Sequence, residues 1–216
     1  MRFDLRVYVI THAGFRGRSH EDVAQAAVAG GATALQLRDK ESAGRALVAT
    51  ARRLVALANP AGVPVVVNDR VDVALAAGAD GVHVGEDDLP VADARRLLGP
   101  ERIVGASAGT VEEARRAEQE GADYLGVGPV FPTATKADAG EAIGLDGLRK
   151  IVAAVRVPVV GIGGITVENA AQVVLAGAAG VAVVSAVAGA DDMVEATRRL
   201  RQAVDLALRA RGGGRP

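Results

Sequence analysis

Short runs of Val, Ile and Leu alternate along this chain with longer, alanine-rich segments of helical character. The apolar runs predict strands at Arg6–Ile10, Ala32–Leu37, Val63–Val67, Gly81–Val84, Arg102–Ala106, Asp123–Gly128, Val157–Ile162 and Gly180–Val184. The intervening segments predict helices at Ser19–Ala29, Ser42–Ala58, Arg70–Ala77, Val91–Leu98, Thr110–Gln119, Gly144–Ala154, Thr166–Ala176 and Ala190–Ala210. Strands that are apolar nearly throughout, each followed by a helix, argue for a parallel sheet covered by helices.

A weak internal repeat sharpens this. Gly30-Gly-Ala-Thr-Ala-Leu, Gly78-Ala-Asp-Gly-Val, Gly121-Ala-Asp-Tyr-Leu and Gly177-Ala-Ala-Gly-Val each close a helix and open an even-numbered strand. Glycine ends a helix well because it takes the left-handed conformation without a Cβ penalty. Two odd strands share a Val-Pro opening, Val63-Pro64 and Val157-Pro158. Eight such units predict a single-domain α/β chain, a (β/α)8 TIM barrel over residues 1–210, small for that architecture. An open doubly wound sheet is the competing arrangement. The tail at 211–216, with three consecutive glycines, is expected to be disordered.

Composition narrows the function. Half of the 216 residues are hydrophobic and the formal charge is −1, so no positive field recruits nucleic acid. Five aromatic residues, Phe3, Tyr8, Phe15, Tyr124 and Phe131, offer no base-stacking platform. Cysteine is absent, which removes disulfides and thiol chemistry. No stretch is apolar enough to span a membrane. The expectation is a cytoplasmic protein acting on small molecules, without nucleic acid or membrane partners; a homo-oligomer stays open.

In a barrel of this kind the chemistry lies at the C-terminal strand ends. Strand 2 ends in Gln36-Leu-Arg38-Asp-Lys40, whose alternation places three long polar residues on one side, two of them cations able to clamp an anion. Strand 3 ends in Asn68-Asp69, where either residue could be an ordinary helix N-cap. Strand 4 carries His83, as apt for a packed core as for catalysis, then Glu86-Asp87-Asp88 before Pro90. Asp88 could cap the next helix. Strands 3 and 4 are neighbours, however, so Asp69 and one of these acids could face each other and hold Mg²⁺ beside a diphosphate. Ser107 ends strand 5. After strand 6, Gly128-Pro-Val-Phe-Pro132 stops regular structure, and Thr133-Ala-Thr135-Lys136 follows with two hydroxyls and an ammonium but nothing to bury. Gly163-Gly164 after strand 7 and Val184-Ser185 after strand 8 suit a phosphate held by backbone N–H groups, with a helix starting near Ser185.

Several stretches together resemble the thiamine-phosphate synthase (thiamine-phosphate pyrophosphorylase) family, from about Tyr8 to Val187. They are Tyr8-Val-Ile-Thr11, Gln36-Leu-Arg-Asp-Lys40, Val67-Asn-Asp69, Gly81-Val-His-Val-Gly85 with Asp87-Asp-Leu-Pro90, Gly105-Ala-Ser107, Gly126-Val-Gly-Pro-Val-Phe-Pro-Thr-Ala-Thr-Lys136, Gly161-Ile-Gly-Gly-Ile165 and Val184-Ser-Ala-Val187. The proline–threonine–lysine stretch is the most specific. The resemblance implies a transferase that joins 4-amino-2-methyl-5-hydroxymethylpyrimidine diphosphate to a thiazole phosphate with Mg²⁺, diphosphate leaving before the thiazole nitrogen attacks. It implies Asp69 and Asp88 as metal ligands, and Arg38, Lys40, Asn68, Thr135 and Lys136 around the diphosphate. Gln36 and Ser107 would meet the pyrimidine or its leaving group, and Thr133, Gly164, Val184 and Ser185 the thiazole phosphate. Lys136, Arg38 and Ser107 would be the catalytic groups. Two positions depart from the family: Glu86, where glutamine is common, and Gly109, where histidine is frequent. The alternatives are the related thiazole tautomerase, whose histidine chemistry near strand 6 would fall where Pro129 stands, and a non-catalytic regulator that binds thiamine precursors.

Overall fold

The computed structural model describes residues 4–12, 14–133, 135 and 140–212. Eight parallel strands run in sequence order around a closed barrel. They are β1 (Val7–His12), β2 (Ala34–Arg38), β3 (Val65–Asn68), β4 (Gly81–Val84), β5 (Ile103–Ala108), β6 (Tyr124–Val127), β7 (Val159–Ile162) and β8 (Gly180–Val183). β8 pairs with β1 through Val7–Val9 and Val181–Val183, which closes the ring and excludes the open sheet. The helices are α1 (His20–Gly30), α2 (Gly44–Ala58), α3 (Val71–Ala77), α4 (Val91–Leu98), α5 (Val111–Gln119), α6 (Gly144–Ala154), α7 (Ala170–Leu175), α8 (Ser185–Ala188) and α9 (Met193–Gly212). No described helix is long and apolar enough to cross a membrane.

The repeat has a mechanical purpose at the N-terminal end of the barrel. Gly31, Gly78, Gly121 and Gly177 all have positive φ, as helix ends of this type require. Two residues on, Thr33, Asp80 and Asp123 accept the N–H of Val7, Val65 and Val104, at 3.0, 2.8 and 2.8 Å. Each even strand thus satisfies a donor at the start of the odd strand before it. The fourth repeat has Ala179 there, and its part is the backbone bond to Val159 O (2.7 Å).

Some boundaries differ from expectation for local reasons. β3 and β7 begin after Pro64 and Pro158, which lack an N–H to give; their carbonyls still accept from Leu35 and Leu125. α7 starts at Ala170 rather than Thr166, because Asn169 Oδ1 takes the Thr166 N–H (2.8 Å) and holds a turn there. α9 reaches Gly212, past the boundary expected at 210; residues 213–216 lie outside the described residues.

The outward faces of the strands, Val9, Leu35, Val65, Val82, Val104 and Leu125 among them, join the helices in one large core. The inward faces form a separate one built from Leu5, Tyr8, Ile10, Val66, Ile103, Tyr124 and Val160. The two tyrosines, the only ones in the chain, meet edge to face at the barrel centre, ring centroids 5.8 Å apart. Room for them comes from glycine: a Cβ on Gly105 would lie 2.2 Å from Tyr124 Cζ. Since Tyr124 is fully buried, Gly105→Ala should cost about 1–3 kcal/mol of stability. Thermal unfolding should register this as a clear fall in Tm, and an unchanged Tm would mean that the ring has space to move.

Candidate active site

The C-terminal strand ends surround a cavity of about 490 Å³. β2 supplies Gln36 and Arg38 to it, with Lys40 just beyond; β3 supplies Asn68 and Asp69; and the loop after β4 supplies Glu86 and Asp88. Ser107 enters from β5, Thr133 and Thr135 from the loop after β6, Gly164 from the β7 end, and Val184 and Ser185 from the β8 end. Lys136 lies outside the described residues.

Asp69 and Asp88 are not helix caps. α3 begins after Arg70 and α4 after Pro90, neither with a side-chain cap. Asp69 sits at φ 64°, a left-handed conformation that aspartate tolerates better than most residues. Its N–H donates to His83 O (2.8 Å), tying the end of β3 to β4. Asp88 accepts the Gly85 N–H (2.8 Å). The two carboxyls lie within reach of each other. Burial first, then the hydrogen bond and charge of Asp88, push Asp69 up to about 6 against the pull of Lys40, whose Nζ is 3.4 Å away. Two hard oxygen ligands that repel each other in a half-buried cleft suit a divalent cation. Among the described residues no third His, Cys, Asp or Glu completes a metal-binding group, so Glu86 lines the cavity without joining the pair.

The cationic strap from β2 is braced from behind. Asp39, between Arg38 and Lys40, accepts the N–H groups of Glu41 and Ser42, both at 3.0 Å. Burial pushes its carboxyl up, but Ser42, the Glu41 N–H and His20 prevail and hold it at about 2. The buried His20 ring lies 3.5 Å from Asp39 and contacts Thr11 Oγ1 at 2.7 Å.

The corner between β7 and β8 departs from expectation in one respect. The loop after β6 lies against Gly163 and Gly164 and by itself requires that they lack side chains: a Cβ would come within 2.6 Å of Pro129 and 2.5 Å of Pro132 O. Val130 and Phe131 also donate to Ile162 O and Gly163 O, joining the two loops. α8 does begin at Ser185, and among the described residues no protein carbonyl accepts the N–H of Gly164 or Ser185. Those two donors remain available to a ligand.

The floor of the cavity holds residues that the sequence did not mark as functional. Gln36 Nε2 donates to Tyr8 Oη (2.8 Å), and the Tyr8 and Tyr124 hydroxyls are 2.8 Å apart. Tyr124 Oη meets His83 Nδ1 at 2.9 Å, and His83 Nε2 meets Ser107 Oγ at 3.0 Å. His83 is therefore neither a plain core residue nor an isolated base. The available signal was the placement of both tyrosines inside strands, where alternation turns them inward.

A closed barrel with a cationic strap, an acid pair and free backbone donors around one cavity defines a (β/α)8 enzyme for anionic small molecules. The family model described as thiamine monophosphate synthase matches residues 7–187. The chain is 56% identical to the thiamine-phosphate synthase of Moorella thermoacetica over 98% of its own length and 99% of that relative's. It is 56% identical to that of Chloroflexus aurantiacus over 94% of each. The solved thiamine phosphate pyrophosphorylase from Pyrococcus furiosus superposes with a TM-score of 0.89 at 46% identity, covering 96% of this chain and 98% of that one. The chain belongs to the thiamine monophosphate synthase family, and is a transferase of thiamine biosynthesis.

The acid pair has a consequence for stability. Asp69 in the folded chain holds its proton up to about pH 6, against 3.8 as the ordinary value. Its contribution is then fullest below about pH 4 and is lost as the pH rises through 6. In urea unfolding with chelator present, wild type should lose ground to Asp69→Asn across that window. A constant difference would show that the two carboxyls do not share a buried site.

Proposed function

We propose that this chain condenses 4-amino-2-methyl-5-hydroxymethylpyrimidine diphosphate with a thiazole phosphate, giving thiamine phosphate and diphosphate, with Mg²⁺ as the metal, in the cytosol. The observation that carries this reading is the difference between the two sides of one cavity. On the β2–β4 side are Arg38, Lys40 and the Asp69–Asp88 pair; on the β7–β8 side are uncharged donors at Gly164 and Ser185. Two different anions fit these two surroundings.

Arg38, Lys40, Asn68, Thr135 and Lys136 hold the diphosphate, and Asp69 and Asp88 hold the metal, which when bound neutralises charge on the diphosphate oxygens. Thr133, Gly164, Val184 and Ser185 hold the thiazole phosphate. Gln36 and Ser107 orient the pyrimidine between them. The bond from the pyrimidine methylene carbon to the diphosphate oxygen breaks first, and both electrons leave with the oxygen. The aminopyrimidine ring spreads the positive charge until the thiazole nitrogen lone pair forms the new bond. No protein nucleophile is needed, so the chain's own part is to stabilise the departing charge and exclude stray water. Arg38 and Lys136 serve the departing diphosphate, and Ser107 steadies the pyrimidine as its charge changes.

The direct test is two-substrate turnover, read as equal amounts of thiamine phosphate and diphosphate; consumption of either substrate alone would overturn the reading. Lys136→Ala should lower kcat on the order of 100-fold while changing KM far less, because its contact strengthens as the bond breaks. Unchanged kcat would return Lys136 to a solvated loop. Asp69→Asn and Asp88→Asn should each raise the Mg²⁺ concentration for half-maximal rate, whereas Glu86→Gln should not. Full activity of both aspartate variants in excess chelator would remove the metal from the site.

A further inference from the structure

The hydrogen-bond chain beneath the cavity has a property that its members lack singly. Gln36, Tyr8, Tyr124, His83 and Ser107 form an unbroken series across the barrel, from β2 through β1, β6 and β4 to β5. Gln36 and Ser107 are the members placed on the pyrimidine above; Tyr8 and His83 also line the cavity, and Tyr124 lies beneath it. A hydroxyl has one hydrogen to give, and a neutral imidazole has one donor and one acceptor nitrogen. Burial pushes both phenols well above their ordinary range, so each keeps its hydrogen.

With the Gln36 amide turned so that Nε2 faces Tyr8, these limits give the chain one direction. Gln36 donates to Tyr8, so Tyr8 gives its hydrogen to Tyr124, and Tyr124 gives its own to His83 Nδ1. A neutral His83 then carries its hydrogen on Nε2 and gives it to Ser107 Oγ. Two groups at the ends are left over. Gln36 Oε1, which takes no hydrogen bond from the described residues, stays an acceptor. Ser107, exposed at the cavity, keeps a hydrogen to donate. Reversing the ends requires every bond to turn together; a partial reversal sets two donors or two acceptors against each other inside the barrel, which is unfavourable.

We propose that Tyr8, Tyr124 and His83 are positioning residues that fix the polarity of the cavity floor, acceptor at Gln36 and donor at Ser107, and thereby select the 4-amino over the 4-oxo form of the pyrimidine. An aminopyrimidine edge offers an N–H donor beside a ring-nitrogen acceptor, which matches this floor. The 4-oxo edge offers a carbonyl acceptor beside a ring N–H and meets it with both partners reversed. The proposal rests on the aminopyrimidine reading of the site. It adds that the selection is set by three residues, the tyrosines and His83, that need not touch the ring's polar edge.

Two measurements test it. Nitrogen-15 NMR of the wild-type protein resolves three histidines, and a His83→Gln sample assigns the His83 signals by difference. The Nε2–H tautomer should dominate, both in the free protein and with 4-amino-5-hydroxymethyl-2-methylpyrimidine bound. An Nδ1–H tautomer, an imidazolium or an even mixture would overturn the fixed polarity. This readout needs no turnover, so it stands apart from the test of the overall reaction. Tyr124→Phe then cuts the chain in its middle. It should lower kcat/KM for the amino substrate about tenfold and reduce discrimination against the 4-oxo diphosphate by a similar factor, leaving KM for thiazole phosphate unchanged. Discrimination equal to wild type, or a matching loss at both substrates, would make the chain a structural plug only.

Discussion

Closing eight short parallel strands leaves an interior that side chains must fill, and here the filling centres on the contact between Tyr8 and Tyr124. The rings come from β1 and β6, well apart around the barrel, and their hydroxyls meet 2.8 Å apart at full burial. Large buried aromatics of this kind need a polar partner for the hydroxyl, and each tyrosine supplies the other's. Gly105 and Gly126 open space for Tyr124 and His83, so the strand sequences on either side are shaped to this centre. What lies above it becomes a cavity rather than core, with a polar floor already in place.

The walls of that cavity divide by chemistry. Neighbouring strands β2, β3 and β4 bring Arg38, Lys40, Asp69 and Asp88 together, and the β3–β4 tie through Asp69 N–H and His83 O sets the acid pair in register. Among the described residues, the β7–β8 strand ends bring no charged side chain to the cavity. They present backbone donors, kept in place where the loop after β6 locks onto Ile162 and Gly163. The Asp39–His20 brace behind the cationic strap and the loop lock beside the glycines do similar work: each stiffens a ligand-facing segment from outside the cavity.

Much of this could be read from the chain. Apolar runs gave the eight strands, and because their order determines neighbours in a barrel, Asp69 could be set opposite one of Glu86, Asp87 and Asp88, with Asp88 singled out by the family resemblance. The helix-closing glycines were likewise visible as a repeat, although the strand-start bonds of Thr33, Asp80 and Asp123 were not. Three features stayed hidden for physical reasons. The reason for Gly163-Gly164 lies in a loop more than thirty residues away in sequence, and a glycine pair looks alike whether an anion or a backbone fills the space beside it. Asn68 and Asp69 look like caps until the backbone shows α3 beginning at Val71. The Tyr8–Tyr124–His83 series depends on contacts across the barrel, which no neighbour rule along the chain predicts.

The central claim is that one cavity separates two anions by their surroundings, charged for the diphosphate and uncharged for the monophosphate. A crystal structure of the protein with diphosphate, Mg²⁺ and thiazole phosphate tests it most directly. The account predicts diphosphate and metal beside Arg38, Asp69 and Asp88, and the thiazole phosphate against the N–H groups of Gly164 and Ser185. Exchanged positions, or both anions crowded against Arg38 and Lys40, would contradict it.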